Sequence, residues 1–506
     1  MPRFLLFLAS TLLLSSVLVQ AASSDDKEKG IPPLSQMGVY DVLGILFMAL
    51  GLVVSSAGGV GGGAIMVPSM VLIMGFDIKL ATPISNMAIL GGAIANAMFN
   101  LSKRHPYVDR PLVDSDISLA MIPVVMGGAI IGALFSKLLP SYAISLLFVL
   151  VLFASGGRTL LKGVRLYKAE AAAKKAREEA LAIEGTGGPS SNSYASLDSP
   201  RDEFNDNPLV NTSKGVRLAP TTAQTPVRKA LDTITAARTS RVQRGSASSS
   251  QYVANDKQEL QEEGSTSSED PTTDSNDTLQ QILDRERSLS WGKQGVIFVC
   301  YLGIVAASIA NKAVDCGSPA YWVILLANIP WVAIFAVGIA FFLLKSHTRK
   351  QSAGYHFAEG DVQWNRATVT WFPLGCGIAG IVAGLFGVGG AIVTSPMLIE
   401  IGVIPEVTAA TTALMVLYSS AAATAKYAVF DMIAWDWASL LCGVAFVVTA
   451  ASQVVILGYV RRSGRQSVVV LCIGLSIVSG ALLMTYQAVS TTISHVHDRF
   501  VIDFCS

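Results

Sequence analysis

Apolar runs of membrane-spanning length recur along this chain, and no other feature narrows its folding options as far. A helix of about 20 residues crosses the hydrocarbon core of a bilayer. Inside that core, backbone amides are satisfied only within a helix or around a closed barrel. The runs lie near 38–57, 64–75, 80–100, 116–136 and 141–161, then near 294–312, 319–345, 369–386, 391–401, 405–429, 436–459 and 467–488. Only 14% of the residues are charged, against about a quarter in soluble domains. The expected class is all-α, a polytopic membrane protein with about 10–12 membrane segments. The runs at 64–75 and 391–401 are too short to cross alone and read as half-helices joined to their neighbours by glycine breaks.

One pattern occurs twice. Gly59-Val60-Gly61-Gly62-Gly63-Ala64-Ile65-Met66-Val67-Pro68 is matched by Gly387-Val388-Gly389-Gly390-Ala391-Ile392-Val393-Thr394-Ser395-Pro396, with glycines and proline in register. Each copy continues through a short apolar run, a break (Gly75-Phe76-Asp77 or Gly402-Val403-Ile404-Pro405) and a helix rich in hydroxyl groups near its start. Two more apolar helices close each half. Glycine richness alone does not reproduce that order of parts; duplication does. The chain thus divides into a signal segment (1–21), a first membrane repeat (36–165), a polar linker (166–290), connecting transmembrane helices (291–350) and a second repeat (365–490).

Charge placement orients the halves. The loops 102–114 (Lys103, Arg104, Arg110), 158–177, 345–350 (Lys345, Arg349, Lys350) and 461–465 (Arg461, Arg462, Arg465) are basic and expected to be cytoplasmic. The loops at Asp315 and at Asp431 to Asp436 lack that excess and are expected on the opposite side. Equivalent loops of the two halves therefore differ: 102–114 is basic where 431–436 is acidic, and 137–141 is nearly uncharged where 461–465 carries three arginines. The halves should insert in opposite senses, giving two inverted-topology repeats, an arrangement common in secondary transporters.

At the N-terminus, Arg3 precedes the apolar run Phe4 to Val19, and Val19-Gln20-Ala21 resembles a cleavage site. An uncleaved first helix is the alternative; either points to the secretory pathway or plasma membrane. The linker opens with Lys162, Arg165, Lys168, Lys174, Lys175 and Arg177, a charged helix leaving the membrane, and after Gly185 turns to Ser, Thr, Asp, Gly and Gln. Such a stretch is expected to be disordered and cytoplasmic. Ser199-Pro200 and Thr225-Pro226 offer phosphorylation-type dipeptides, and Asn211-Thr212-Ser213 and Asn276-Asp277-Thr278 match the glycan acceptor pattern. Six scattered cysteines form no C-x-x-C pair, which leaves no zinc or redox motif; a Cys316–Cys505 disulfide on an oxidising face is left open. No cofactor, metal or nucleic-acid partner is expected. The expected partners are a small anionic solute and the lipid bilayer, with the oligomeric state open.

The candidate binding residues are Gly59, Gly61, Gly62, Gly63 and Pro68 with Gly387, Gly389, Gly390 and Pro396. To these are added Thr82, Ser85 and Asn86 after the first break and Thr408, Thr411 and Thr412 after the second. A nucleotide-binding reading of the glycines fails, since no G-K-[ST] follows and no acidic residue stands at the expected distance. Irregular backbone at membrane depth survives where it is buried in protein or lines a wet cavity. The half-helix after each break would aim free N–H groups and a positive dipole end into such a cavity. The alternative for the glycines is close helix packing through small residues, and for the hydroxyls and amides, bonding across helix interfaces. Asn96, Asn100, Tyr418, Ser419 and Ser420 extend the same helices, and Gln453 is a buried amide without an assigned role. Lys426 is expected to snorkel toward the interface, Glu400 and Glu406 to lie near it. No acidic residue sits at a span centre, so no proton relay is indicated. His495 and His497 look incidental. No catalytic constellation is found: there is no G-x-S-G with a partner histidine and no paired intramembrane aspartates.

The paired glycine motifs with Pro68 and Pro396 resemble the sulfite exporter TauE/SafE family in its plant-like branch. So do the stretch Asn100-Leu-Ser-Lys-Arg-His-Pro-Tyr-Val-Asp-Arg-Pro-Leu-Val-Asp114 and the stretch Val407 to Ser420. The likeness covers roughly 36–165 and 290–488. The long linker and Pro83 depart from the family pattern. The resemblance implies export of sulfite, sulfonates or related organic anions; the spacing itself gives only an inverted-repeat carrier. A non-transporting scaffold or sorting protein acting through the linker is the competing function, and deleting 186–285 separates the two, because a carrier keeps its flux.

Overall fold

The structure, a computed structural model, describes residues 34, 37–185 and 271–495, apart from 57, 60, 107, 316, 359 and 464–466. The signal segment, residues 186–270 of the linker with Ser199, Asn211 and Thr225, and Cys316, His497 and Cys505 lie outside the described residues.

The described residues are helical, with no strand beyond an isolated bridge between Arg104 and Pro111. The first set is α1 (Val39–Ser56), α2 (Gly63–Leu72), α3 (Ile78–Asn100), α4 (Ser115–Leu138) and α5 (Ser141–Gly185). Then come α6 (Pro271–Glu286), α7 (Trp291–Lys312) and α8 (Pro319–Ser352). The second set is α9 (Arg366–Phe386), α10 (Ala391–Ile401), α11 (Pro405–Val429), α12 (Trp435–Ser463) and α13 (Ser467–His495). Among the described residues, ten helices are long and apolar enough to cross a membrane, and α2 and α10 are shorter apolar ones. The chain is an all-α, multi-pass integral membrane protein.

The two sets exchange contacts reciprocally. α1 and α3 pack on α12, while their counterparts α9 and α11 pack on α4; α3 crosses α11 between them. α2 rests on α13, and α5 reaches α10 through Ser155 and Lys162, which donate to the carbonyls of Ile392 and Ile399. Small residues permit the closest crossings. On α4 and α9, Gly128, Gly132, Gly380 and Gly384 each lie against the other helix's backbone, and Gly91 of α3 lies against Cys442 of α12. Without a hydrophobic drive between helices in lipid, this closeness supplies the packing attraction.

Burial follows the same plan. α3 and α11 are enclosed along most of their length, whereas α8 presents most of its surface outward. Among the cysteines, Cys300 and Cys376 are buried, Cys442 and Cys472 half-buried, and all four are free thiols.

Candidate functional site

Both glycine breaks adopt one backbone course. Positive φ falls at Gly59, Gly61 and Gly62 in the first and at Gly387, Gly389 and Gly390 in the second, all between 66° and 81°. L side chains avoid that region, so the repeated spacing records a repeated conformation. Each break stops one helix and starts a half-helix whose first turn has no side-chain cap: Gly62 precedes α2 and Gly390 precedes α10. Several other helices are capped. Asp77 accepts from Lys79 N at 2.8 Å, and Asp114 from Asp116 N and Ile117 N at 2.8 and 3.0 Å.

The two breaks meet. A Cβ added to Gly61 would lie 3.2 Å from Ile89 Cγ2 and 3.2 Å from Val416 Cγ1; one added to Gly389 would meet the same side chains at 3.1 and 3.0 Å. Ile89 on α3 and Val416 on α11 thus form a shared centre between the breaks. Gly63 lies against the backbone of Val388, Gly59 against Ala409 of α11, and Gly387 against Thr82 of α3. Two uncapped N-termini, each with the positive end of a helix dipole, therefore approach one another in buried surroundings.

The polar candidates divide into two groups. Thr82 Oγ1 donates to Ile78 O at 2.8 Å and Thr412 Oγ1 to Thr408 O at 2.8 Å, so both are satisfied within their own helices. Ser85 Oγ crosses between the halves to the Gly387 carbonyl at 2.7 Å, and Ser419 Oγ reaches the Gly389 carbonyl at 3.4 Å. Thr411 Oγ1 accepts from Asp114 N at 3.2 Å, tying α11 to the start of α4. Asn86 is different. It is 1% exposed, and neither its amide nitrogen nor its oxygen has a hydrogen-bond partner. The Thr408 hydroxyl is likewise buried and unpartnered.

Pro68 and Pro396 sit at the sixth position of their half-helices. A proline there removes the donor to the carbonyl four residues back. For Pro396 that carbonyl is Ile392 O, which instead accepts from Ser155; for Pro68 it is Ala64 O, against which Gly480 of α13 is packed. The prolines thus leave one carbonyl of each half-helix open to a neighbouring helix.

The loop from Asn100 to Asp114 is a tight hairpin, with His105 N donating to Arg110 O at 2.9 Å and Leu112 N to Lys103 O at 3.0 Å. Arg110 is ion-paired with Asp361, and Asp114 closes the loop by capping α4.

The sulfite exporter TauE/SafE family model matches residues 2–188 and 285–483. This chain belongs to the sulfite exporter TauE/SafE family. Curated relatives from Arabidopsis thaliana agree: sulfite exporter TauE/SafE family protein 2 is 26% identical over 93% of this chain and 88% of its own length. Family protein 3 is 25% identical over 87% and 77%, and family protein 5 is 25% identical over 92% and 87%. No solved structure matches. The TauE/SafE chain is a membrane transporter of the sulfite-exporter type and not an enzyme.

In this TauE/SafE protein one expectation is corrected. Lys426 does not snorkel: it is fully buried. α11 is enclosed on all sides, leaving its side chain no path to an interface. Its Nζ donates to the Asn311 side-chain oxygen at 3.1 Å, in the amide orientation that also lets Asn311 donate to Tyr321 O at 3.2 Å, and lies 5.7 Å from the Phe430 ring centre. Gln453 gains a role. Its amide nitrogen donates to Ser56 O at 2.9 Å and Asn96 Oδ1 at 2.7 Å, and its oxygen accepts from Lys103 Nζ at 3.2 Å. Lys103 also donates to Asn100 at 2.7 Å. A chain of polar groups thus runs from the basic loop to the last residue of α1, beside the first break. Glu400 is exposed and Glu406 half-buried.

The family loop carries a pH signature. Desolvation, then the charge of Arg110, lowers the His105 imidazole to about 4, with Asp361 offsetting part of the effect. Its ordinary value is 6.5, so the unfolded chain binds a proton that the fold refuses between pH 6.5 and about 4. His105 thus adds a stability term that is complete above pH 6.5 and lost as pH falls through that window. In detergent the thermal midpoint of wild type should fall more steeply from pH 6.5 to 4 than that of His105→Gln; superimposable pH profiles would refute the assignment.

Proposed function

We propose that this chain is a secondary carrier for a small anion, sulfite, a sulfonate or a related organic anion, and that the solute binds where the two glycine breaks meet. The convergence of Gly61 and Gly389 on Ile89 and Val416 carries the reading. Two uncapped half-helix N-termini brought together repel through their dipole ends unless negative charge lies between them, and such termini are ready anion sites. The unpartnered amide of Asn86 adds a neutral donor. No candidate residue carries a fixed positive charge, and neutral donors allow a solute to leave as readily as it arrives. Reciprocal contacts between the two sets of helices support an inverted repeat, in which alternating access is a rocking of one half against the other around a fixed site. Glycines and small residues in the breaks serve that motion as well as packing.

The test is counterflow in proteoliposomes containing the full chain, with a panel of sulfite, sulfate, phosphate, taurine and a small carboxylate. Saturable exchange of sulfite or a sulfonate, competed by related anions, is the expected result. Protein that reconstitutes as a folded species yet exchanges none of the panel would remove the carrier reading.

A further inference from the structure

A crevice of about 880 Å³ opens at the basic end of the membrane helices, walled by α4, α7 and α8 and bordered by α6. Its charged groups fall into two sets. On the floor, Arg110 is paired with Asp361, and Asp116 receives both Lys293 and Lys350, the latter also holding Glu286 at 2.6 Å. Those cations are neutralised in place. On the rim, Arg285, Lys345 and Arg349 also line the crevice; all three are exposed, and none has a carboxylate within ion-pair distance among the described residues.

The apolar part of the wall faces outward. Ile334 is 68% exposed and Phe342 49%, with Val296 of α7 at 40% across from them. Along α8, Ile334, Gly338, Phe342, Lys345 and Arg349 line one stripe at the three- and four-residue spacing that keeps side chains on a common face. Apolar positions give way to basic ones toward the helix end. From Ile334 to Arg349 the helix rises about 22 Å, comparable with half of a bilayer whose full thickness is about 40–45 Å.

We propose that this crevice binds an anionic phospholipid from the leaflet at the basic end, with its phosphate on the Arg285, Lys345 and Arg349 rim and an acyl chain along the Ile334–Phe342 stripe. Basic pockets between helices at a membrane surface recognise such headgroups. A small soluble anion would leave the apolar wall unused, and a soluble peptide would have to cover residues that already face the acyl chains. The assignment stands apart from the transport reading: it concerns the outer surface of α7 and α8 and not the glycine breaks.

Native mass spectrometry of the full chain, released from mixed micelles holding equal fractions of dioleoyl phosphatidylserine and dioleoyl phosphatidylcholine, tests it. Wild type should retain phosphatidylserine in preference to phosphatidylcholine. Each unpaired surface cation is worth about fivefold in affinity, so Lys345→Gln with Arg349→Gln should weaken retention roughly 25-fold, while Lys312→Gln at the other end of α7 should not. Phe342→Glu leaves the rim intact and blocks the acyl path, and should also lose the lipid, which preserves the test if the double variant folds poorly. Equal retention of both lipids, or a double variant that matches wild type, would overturn the proposal. Displacement of the lipid by millimolar glycerol phosphate or sodium sulfate would assign the rim to a free anion instead and overturn it equally.

Discussion

Gly61→Ala and Gly389→Ala should lower transport about tenfold or more in a protein that still folds, whereas Gly59→Ala and Gly387→Ala should leave little folded protein to assay. All four positions have positive φ, so each alanine carries a similar backbone penalty of about 1–2 kcal/mol. What differs is the neighbour. At Gly61 and Gly389 the added methyl meets γ-methyls of Ile89 and Val416 at 3.0–3.2 Å, side-chain atoms able to yield by a few tenths of an ångström. At Gly59 and Gly387 it meets the backbone of Ala409 and of Thr82, which moves only if α11 or α3 moves. Overpacking against such rigid groups adds about 3 kcal/mol, several times the cost of a yielding contact. A methyl at Gly61 or Gly389 projects into the centre where the solute is proposed to bind, and a tenfold or greater fall in counterflow is expected, equivalent to about 1.4 kcal/mol. Size-exclusion profiles and thermal midpoints report the fold, counterflow reports transport. Wild-type flux in a well-folded Gly61→Ala, Gly389→Ala double variant would remove the breaks from the mechanism.

This contrast shows where the sequence was readable. The breaks, the half-helices and the internal duplication are local: successive glycines and a proline at fixed offsets dictate backbone course whatever surrounds them. Which residue each glycine touches is not local. The pairing of Gly59 with Ala409 and of Gly387 with Thr82 joins residues hundreds of positions apart and emerges only when α3 and α11 cross. The same limit applies to Lys426. In isolation it is a lysine near a helix end, for which snorkelling is the usual outcome. Only the packing of α7 against α11 puts the Asn311 amide beside its Nζ. Gln453 gave a weak signal in advance, an amide in an apolar helix, and Asn96 and Asn100 gave another by their four-residue spacing. That these belong to one chain of hydrogen bonds required the contact of α12 with α3. For the hydroxyls, residue type was a poor guide: Thr82 and Thr412 bond their own helices, as serine and threonine commonly do in apolar surroundings. The informative candidates were the two left without a partner, Asn86 and Thr408.

Asn86→Leu should make the protein more stable and less active. A buried polar group with no partner costs roughly 1–3 kcal/mol, and both polar atoms of the Asn86 amide are in that condition in a side chain 1% exposed. Leucine has the same branched heavy-atom skeleton and no polar atoms, so the substitution removes the penalty without opening a cavity, although its methyls are bulkier than the amide and the neighbours must yield to them. A gain of about 1–3 kcal/mol is expected, which for a chain this long raises the thermal midpoint by a few degrees. If the amide is kept because it binds the travelling anion, the same change should lower counterflow at least tenfold, the stability-for-function exchange that binding sites show. The two readouts separate the possible roles of Asn86. A lower midpoint with unchanged flux would mean that the amide already has a structural partner and the site lies elsewhere. A higher midpoint with unchanged flux would mean that the amide is an uncompensated defect with no ligand. Only stabilisation coupled to lost transport fits a donor held in readiness for a solute, since an amide buried without a partner persists where something else repays its cost.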